Sequence, residues 1–293
     1  YSGNVRFNDA IGIPELMDSY TFAQYFNRAS SNRGGGDIFS PAVMERIKAY
    51  QEGTWTATTV DNGSGIWQKW ANANGNTDWF GEFYDNWVPS QEHNLSISGG
   101  TEKLQYVLSG SFLDQKGLLR HGTDKFQRYT LNSKITANIT DWLKVTLNSK
   151  WTREDFQRPT YLTSSFFHNL ARKWPVHPAY DPNGFPMDEG EIEQMENGGE
   201  QNSQKDYYTN QLHVVIEPIK NWRINLEGSV RTTTQYQHWE VLPVHAYDVN
   251  GDPYYTVWDM GYGSYSAGSS RVDEYSWKEN YYTTNIYSDY FKQ

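Results

Sequence analysis

Phe126 to Trp151 reads FQRYTLNSKITANITDWLKVTLNSKW, and two strands are legible in it. In the first half Tyr129, Leu131, Ile135, Ala137 and Ile139 share one parity, while Arg128, Thr130, Asn132, Lys134, Thr136 and Asn138 occupy the other. In the second half Leu143, Val145, Leu147 and Trp151 are set against Lys144, Thr146, Asn148 and Lys150. A period of two gives a strand one apolar and one solvated face. Strands of soluble proteins usually run to about five or six residues. Alternation kept up for ten or so suits a strand crossing hydrocarbon, where about 9 to 11 tilted residues are needed. Leu131, Ile135, Leu143, Val145 and Leu147 are therefore expected to face lipid, and Trp151 to sit at the membrane interface.

Outward from this stretch the same pattern recurs. Before it come a short strand over residues 1–8, one with Leu95 and Ile97, and one with Leu104, Tyr106, Leu108 and Phe112 on a single face. After it, Tyr208, Leu212, Val214 and Ile216 mark a sixth strand, expected to end at Pro218, which has no N–H for a ladder. Trp222, Ile224, Leu226 and Val230 give a seventh, and a Tyr-rich strand closes the series. Trp222 and Trp142, each just after a short turn, are read as interfacial anchors, although Trp142 falls on the polar parity of its strand. The connections sort by length. After the first, third, fifth and seventh strands they are longer, with the main loops at 9–90, 156–205 and 237–274; after the second, fourth and sixth they are a handful of residues. Short turns on one side of a membrane and long loops on the other produce this asymmetry.

The first long loop is expected to contain short helices. Pro14 to Arg28 carries apolar residues at helical spacing, and Ser40 and Pro41 open a second helix that Gly53 ends. From Thr54 to Val88 a long loop holds Trp55, Trp67 and Trp70. These are candidates for stacking on a sugar ring or an apolar side chain of a bound solute, or else pack the loop itself. Two stretches, Lys173 to Pro186 and Val241 to Pro253, share Pro-Val-His followed by Ala-Tyr-Asp-x-Asn-Gly. Their Asp and Asn match the start of a calcium loop, but the glycine comes too early, and Asn-Gly favours hairpin tips. His177 and His245 in these copies read as polar loop packing, and Glu189, Glu191, Glu193 and Glu196 as a solvated acidic face. No metal site, cofactor site or catalytic residue is indicated, and no nucleophile elbow, P-loop or dinucleotide motif occurs.

Composition agrees with a membrane barrel and excludes other classes. The 293 residues carry a formal net charge of -10, which argues against a nucleic-acid partner. There is no cysteine to form disulfides or thiolate sites. Aromatics reach 16%, a surplus suited to interfacial girdles and to loops that touch sugars or peptides. The mean hydropathy of -0.80 would suit a soluble protein, yet a barrel needs apolar residues only at alternate positions. The fold expected is all-β: an antiparallel transmembrane β-barrel segment of about eight strands with long outer loops. A small self-contained barrel acting as adhesin or passive pore, and a secreted soluble β protein that binds glycans, satisfy parts of the same pattern.

His93 to Gln115, HNLSISGGTEKLQYVLSGSFLDQ, followed by Gly117, Phe126, Arg128 and Tyr129, resembles the early barrel of SusC-type TonB-dependent transporters. PELMDSYTFAQYFN from Pro14 and NTDWF from Asn76 resemble what that family places between its first two barrel strands. Residues 91–155 carry the strongest likeness, and beyond about residue 155 only the architecture is similar. The resemblance implies a cell outer membrane location and uptake of a bulky nutrient, an oligosaccharide or a peptide. It implies a SusD-like surface lipoprotein as partner, outer-membrane lipid around the wall, and coupling to TonB through a more N-terminal part. It also implies a larger barrel of about 22 strands, so that residues 1–293 are expected to start and stop inside a longer chain. No enzymatic activity is expected.

Overall fold

The computed structural model describes residues 1–256, 258–259, 264–265 and 268–291. The alternating segments pair only with their neighbours in the chain. β1 (Ser2–Asn8), β2 (Val88–Gly100), β3 (Leu104–Lys116), β4 (Lys125–Thr140), β5 (Leu143–Pro159), β6 (Glu200–Ile219), β7 (Trp222–Val241) and β8 (Arg271–Tyr290) form one antiparallel sheet in that order. Its connections alternate: 101–103, 141–142 and 220–221 at one end, and 9–87, 117–124, 160–199 and 242–270 at the other. Asn221, with φ of 72°, supplies the left-handed residue of the two-residue turn at 220–221.

Register carries each parity across the whole sheet. Ala137, Val145, Val214, Leu226 and Ile286 form one cross-strand row, and Ile135, Leu147 and Leu212 lie in the next. Asn132, Lys150, Thr209 and Arg231 form a row of the opposite face. Because the side-chain period is two, a slip of one residue would exchange the faces, so the apolar rows pin the register. Aromatic side chains bound the apolar band, with Trp151 opposite Tyr208 towards the long loops and Trp222 beside the short turns. Ten residues of β7 separate the row of Tyr208 from Trp222; at about 3.3 Å each and a tilt near 40°, that is roughly 25 Å, the height of a barrel's apolar belt. No helix among the described residues is long and apolar enough to cross a membrane, which says nothing about strands.

The sheet departs from the expected boundaries in a consistent way. β5 runs to Pro159 and β6 starts at Glu200, so the loop expected at 156–205 is 160–199; the one expected at 237–274 is 242–270. The first loop ends before Val88 rather than at residue 90. Pro218 does not terminate β6: the ladder with β7 skips from Ile216 to Ile219, and the missing N–H is absorbed as an irregularity. The first helix, α1 (Ser19–Asn32), begins five residues after Pro14 because Asp18 caps it, accepting from the Tyr20 and Thr21 amides. α2 (Pro41–Gln51) begins where expected, with Ser40 accepting from the Val43 amide.

Nearly all the enclosed apolar side chains lie outside the band. One cluster joins Trp79, Phe83, Tyr161, Phe166, Leu170, Ile192, Met195 and Val244. A second joins Ala23, Phe39, Val43, Ile47 and Val176. Both are built from the long loops, which carry three helices the sequence did not reveal: α3 (Trp79–Phe83), α4 (Ser164–Arg172) and α5 (Ile192–Asn197).

Candidate functional site

The four long connections fuse into one cap over the sheet's end. Residues 75–79 of the first loop lie along residues 174–177 of the third: Gly75 N–H donates to Val176 O, Thr77 N–H to Pro175 O and the Trp79 indole to Trp174 O. The second loop joins through Arg120 N–H to Phe83 O and Asp85 N–H to Leu118 O, the fourth through Leu242 N–H to Gly198 O. Gly122, at φ of 78°, passes so near α5 that an added Cβ would lie 2.4 Å from the Met195 carbonyl oxygen. Only glycine permits that approach.

Ionic side chains hold the cap from inside. Lys173 Nζ donates to Glu191 Oε2 at 2.8 Å and to the Glu189 carbonyl at 2.9 Å, and lies 4.6 Å from the centre of the Trp79 ring. Tyr161 and Asn169 complete the shell of Glu191 at 2.8 and 2.7 Å. Burial pushes the Lys173 ammonium below the ordinary lysine range, and Glu191 draws it back up. Lys69 bridges Asp188 at 2.7 Å and Glu189 at 2.6 Å. His121 lies between Glu196 at 2.7 Å and Glu82 at 3.0 Å, tying the second loop to the third and the first. Tyr180 also donates to Glu82, and its phenol is pushed up to about 12 by burial and by that carboxylate.

The acidic run is thus not a solvated face. Glu191 is 5% and Glu193 8% exposed, Glu189 holds Lys69 and the Trp70 indole, and Glu196 holds His121. Charge periodicity could not reveal this, because the matching cations and hydroxyls come from three other chain segments. The twin Asp-x-Asn-Gly stretches do form hairpin tips. Asp181 accepts from the Asn183 and Phe185 amides, and Asp248 from those of Asn250 and Asp252. The tips meet, with Phe185 stacked on Tyr247 at 4.1 Å and Asn183 donating to Val249 O. His177 is packed as a polar loop residue, its ring stacked 4.5 Å from Trp70 and its Nε2 facing Asp188 O at 3.0 Å.

The sequence candidates are spread over the cap and the wall. Trp70 is committed to packing, donating to Glu189 at 2.6 Å. Trp67 is half-buried in a bridge to Asp61, and Trp55 is exposed. In the wall Leu131, Ile135 and Leu147 are exposed on the apolar face, where Leu143 and Val145 are half-buried. Trp151 donates to Asp206 at 2.9 Å, and Trp222 to Ser288 at 2.7 Å. A depression of about 550 Å³ opens on that face beside Gly110, walled by Leu95, Ile97, Leu108, Leu131, Trp151 and Tyr208. The opposite face holds a recess of about 500 Å³ lined by hydroxyls and charged side chains, which the sequence reading did not single out.

No family profile matches the chain. It is 32% identical over 77 residues to the TonB-dependent receptor SusC of Bacteroides thetaiotaomicron, a match covering 26% of this chain and 7% of that protein. It is 34% identical over 73 residues to the TonB-dependent receptor P3 of Formosa agariphila, covering 25% and 7%. Among solved structures, the RagAB peptide importer in its closed-closed state aligns with 99% of this chain at a TM-score of 0.68 and 16% identity. Its open-open state aligns over the same 99% at 0.66. The chain spans 32% of the length of those structures. Its fold is therefore part of a β-barrel of that architecture, and its sequence resembles SusC-type TonB-dependent receptors.

Proposed function

We propose that this SusC-like chain forms one wall and part of the outer cap of an outer-membrane importer that takes up a bulky nutrient, an oligosaccharide or a peptide, with energy supplied through TonB. The observation that carries the reading is the coincidence of two sortings in one sheet: every long loop lies at one end, and every apolar row on one face. A soluble sheet has no reason for both. In this reading Leu131, Ile135, Leu143, Val145 and Leu147 face acyl chains, which also fill the depression beside Gly110. Trp151 and Trp222 sit at the two interfaces. The rows of Thr, Asn, Lys and Arg line a hydrated interior. The fused loops stand outside the membrane as a preformed rim, where Trp55 is placed to touch solute. A SusD-like surface lipoprotein closes over that rim, as the family resemblance implies, and the likeness to the RagAB peptide importer supports a partner of this kind.

The test uses the full-length protein. Cells that depend on it for growth on an oligosaccharide or peptide mixture should stop growing when TonB is removed. Undiminished growth without TonB would end the import reading.

A further inference from the structure

We infer that the polar face of the sheet carries a binding recess for carboxylate groups, centred on Lys150 and Arg231 and flanked by Arg128. The occupant is a carboxylate-bearing solute, an identification that rests on the import reading; the charge site itself rests on geometry.

Lys150 and Arg231 lie on one register row, separated by Thr209. Two interstrand steps put their backbones roughly 10 Å apart, a gap two long side chains can close over one oxyanion. Arg128 enters the same recess from β4, opposite Glu154 in register. Several cations elsewhere are paired, Arg153 with Asp206, Lys69 with Asp188, Lys173 with Glu191, Arg120 with Asp85 and Arg223 with Glu217, while Lys134 and Lys144 on the same face make no salt bridge among the described residues but do not line this recess. Among the described residues Arg128, Lys150 and Arg231 make no salt bridge and no side-chain hydrogen bond. Three cations against the single carboxylate Glu154 leave the recess with an excess of positive charge in a chain of net -10.

The remaining lining points the same way. Thr152 and Thr209 offer hydroxyl donors, and Tyr207 donates to Glu154 Oε2 at 3.3 Å. A volume of about 500 Å³ admits a sugar ring or a side chain with its carboxylate. Guanidinium and ammonium groups grip carboxylates by charge-assisted hydrogen bonds.

The full-length protein in detergent is titrated calorimetrically with trigalacturonate and triglutamate, and with the neutral maltotriose and trialanine. The expected result is that at least one acidic trimer binds, and that the double variant K150Q/R231Q weakens it at least tenfold. Lys220→Gln, which removes a charge at a short turn, should leave it unchanged, and neutral trimers should not distinguish the variants. Arg128→Gln, facing Glu154, should cost a smaller factor and serves if the double variant fails to assemble. Binding of trigalacturonate alone marks the source as a uronic sugar, and of triglutamate alone as a peptide; either supports the site. Failure of both acidic trimers to bind the unmodified protein, or equal binding by it and the double variant, overturns the inference. Loss of TonB-dependent growth, measured separately, would still stand.

Discussion

The wall and the cap bury their apolar side chains in opposite senses. In the sheet Leu131, Leu147, Leu212 and Ile286 stand exposed on an outer face, and continuous ladders join the strands. In the loops Phe39, Trp79, Phe166 and Ile192 are fully enclosed, and charged residues go in with them. Hydrophobic burial is relative to the solvent outside: where that solvent is oil, the apolar side chain needs no protein cover, and where it is water, a core must be built. On the importer reading the chain does both within 293 residues. The loops have to be a small globular domain in their own right, and the Lys173–Glu191 pair ties their segments together.

That contrast can be broken experimentally. The largest effect is expected for Lys173→Met, which leaves Glu191 buried beside two hydrogen-bond donors but without its cation. Breaking a buried pair costs about 3 to 5 kcal/mol, so limited proteolysis should open the 160–199 loop while the wall keeps its heat-modifiable gel mobility. Simultaneous loss of both would show that cap and wall are one cooperative unit. Next comes Leu147→Arg, expected to hinder membrane assembly by about 2 to 4 kcal/mol if Leu147 lies near the midplane. Asn148→Lys, one residue on and facing the other way, should be mild. Similar assembly of the two variants would refute the assignment of faces.

A pH effect should be confined to the cap. Burial, with Lys173 nearby, holds His177 well below its ordinary value of 6.5. Between its folded and unfolded values the unfolded chain binds the extra proton, so the stabilisation is complete above about pH 6.5 and is lost progressively as pH falls from there towards the folded value. Hydrogen-exchange protection of the cap, measured against the intrinsic rate at each pH, should fall on acidification in the unmodified protein and less so in His177→Phe, which keeps an aromatic in the stack. Parallel profiles for the two would remove His177 from the account. The smallest effect belongs to Asp18→Ala. Losing an N-cap costs about 1 kcal/mol, seen as faster exchange in the first turn of α1 and nowhere in the wall.

How far the sequence reading reached follows the same division. Strand parity was legible from Phe126 to Trp151 because apolar and polar residues alternate there almost without a break, and the Asn-Gly tips announced their turns locally. The strand ends were missed because beyond the band both faces are polar. Gln201 to Asp206 reads QNSQKD, and Thr234 to Trp239 pairs with it without any regular alternation of hydropathy. Glu191 looked solvated and Trp70 looked available because their partners, Lys173, Tyr161 and Glu189, lie on segments whose approach no local pattern encodes. The unpaired Lys150 and Arg231 were two polar residues among many until register set them on one row.

The sequence by itself determined the strands, their apolar and polar faces, the side on which each loop falls and the two hairpin tips, since each depends on neighbours within a few residues. Only the tertiary structure decided which carboxylates are buried, which tryptophans are committed to packing and where cations stand unmatched. Those properties depend on which distant segments come within a few ångströms of one another, and folding alone settles that.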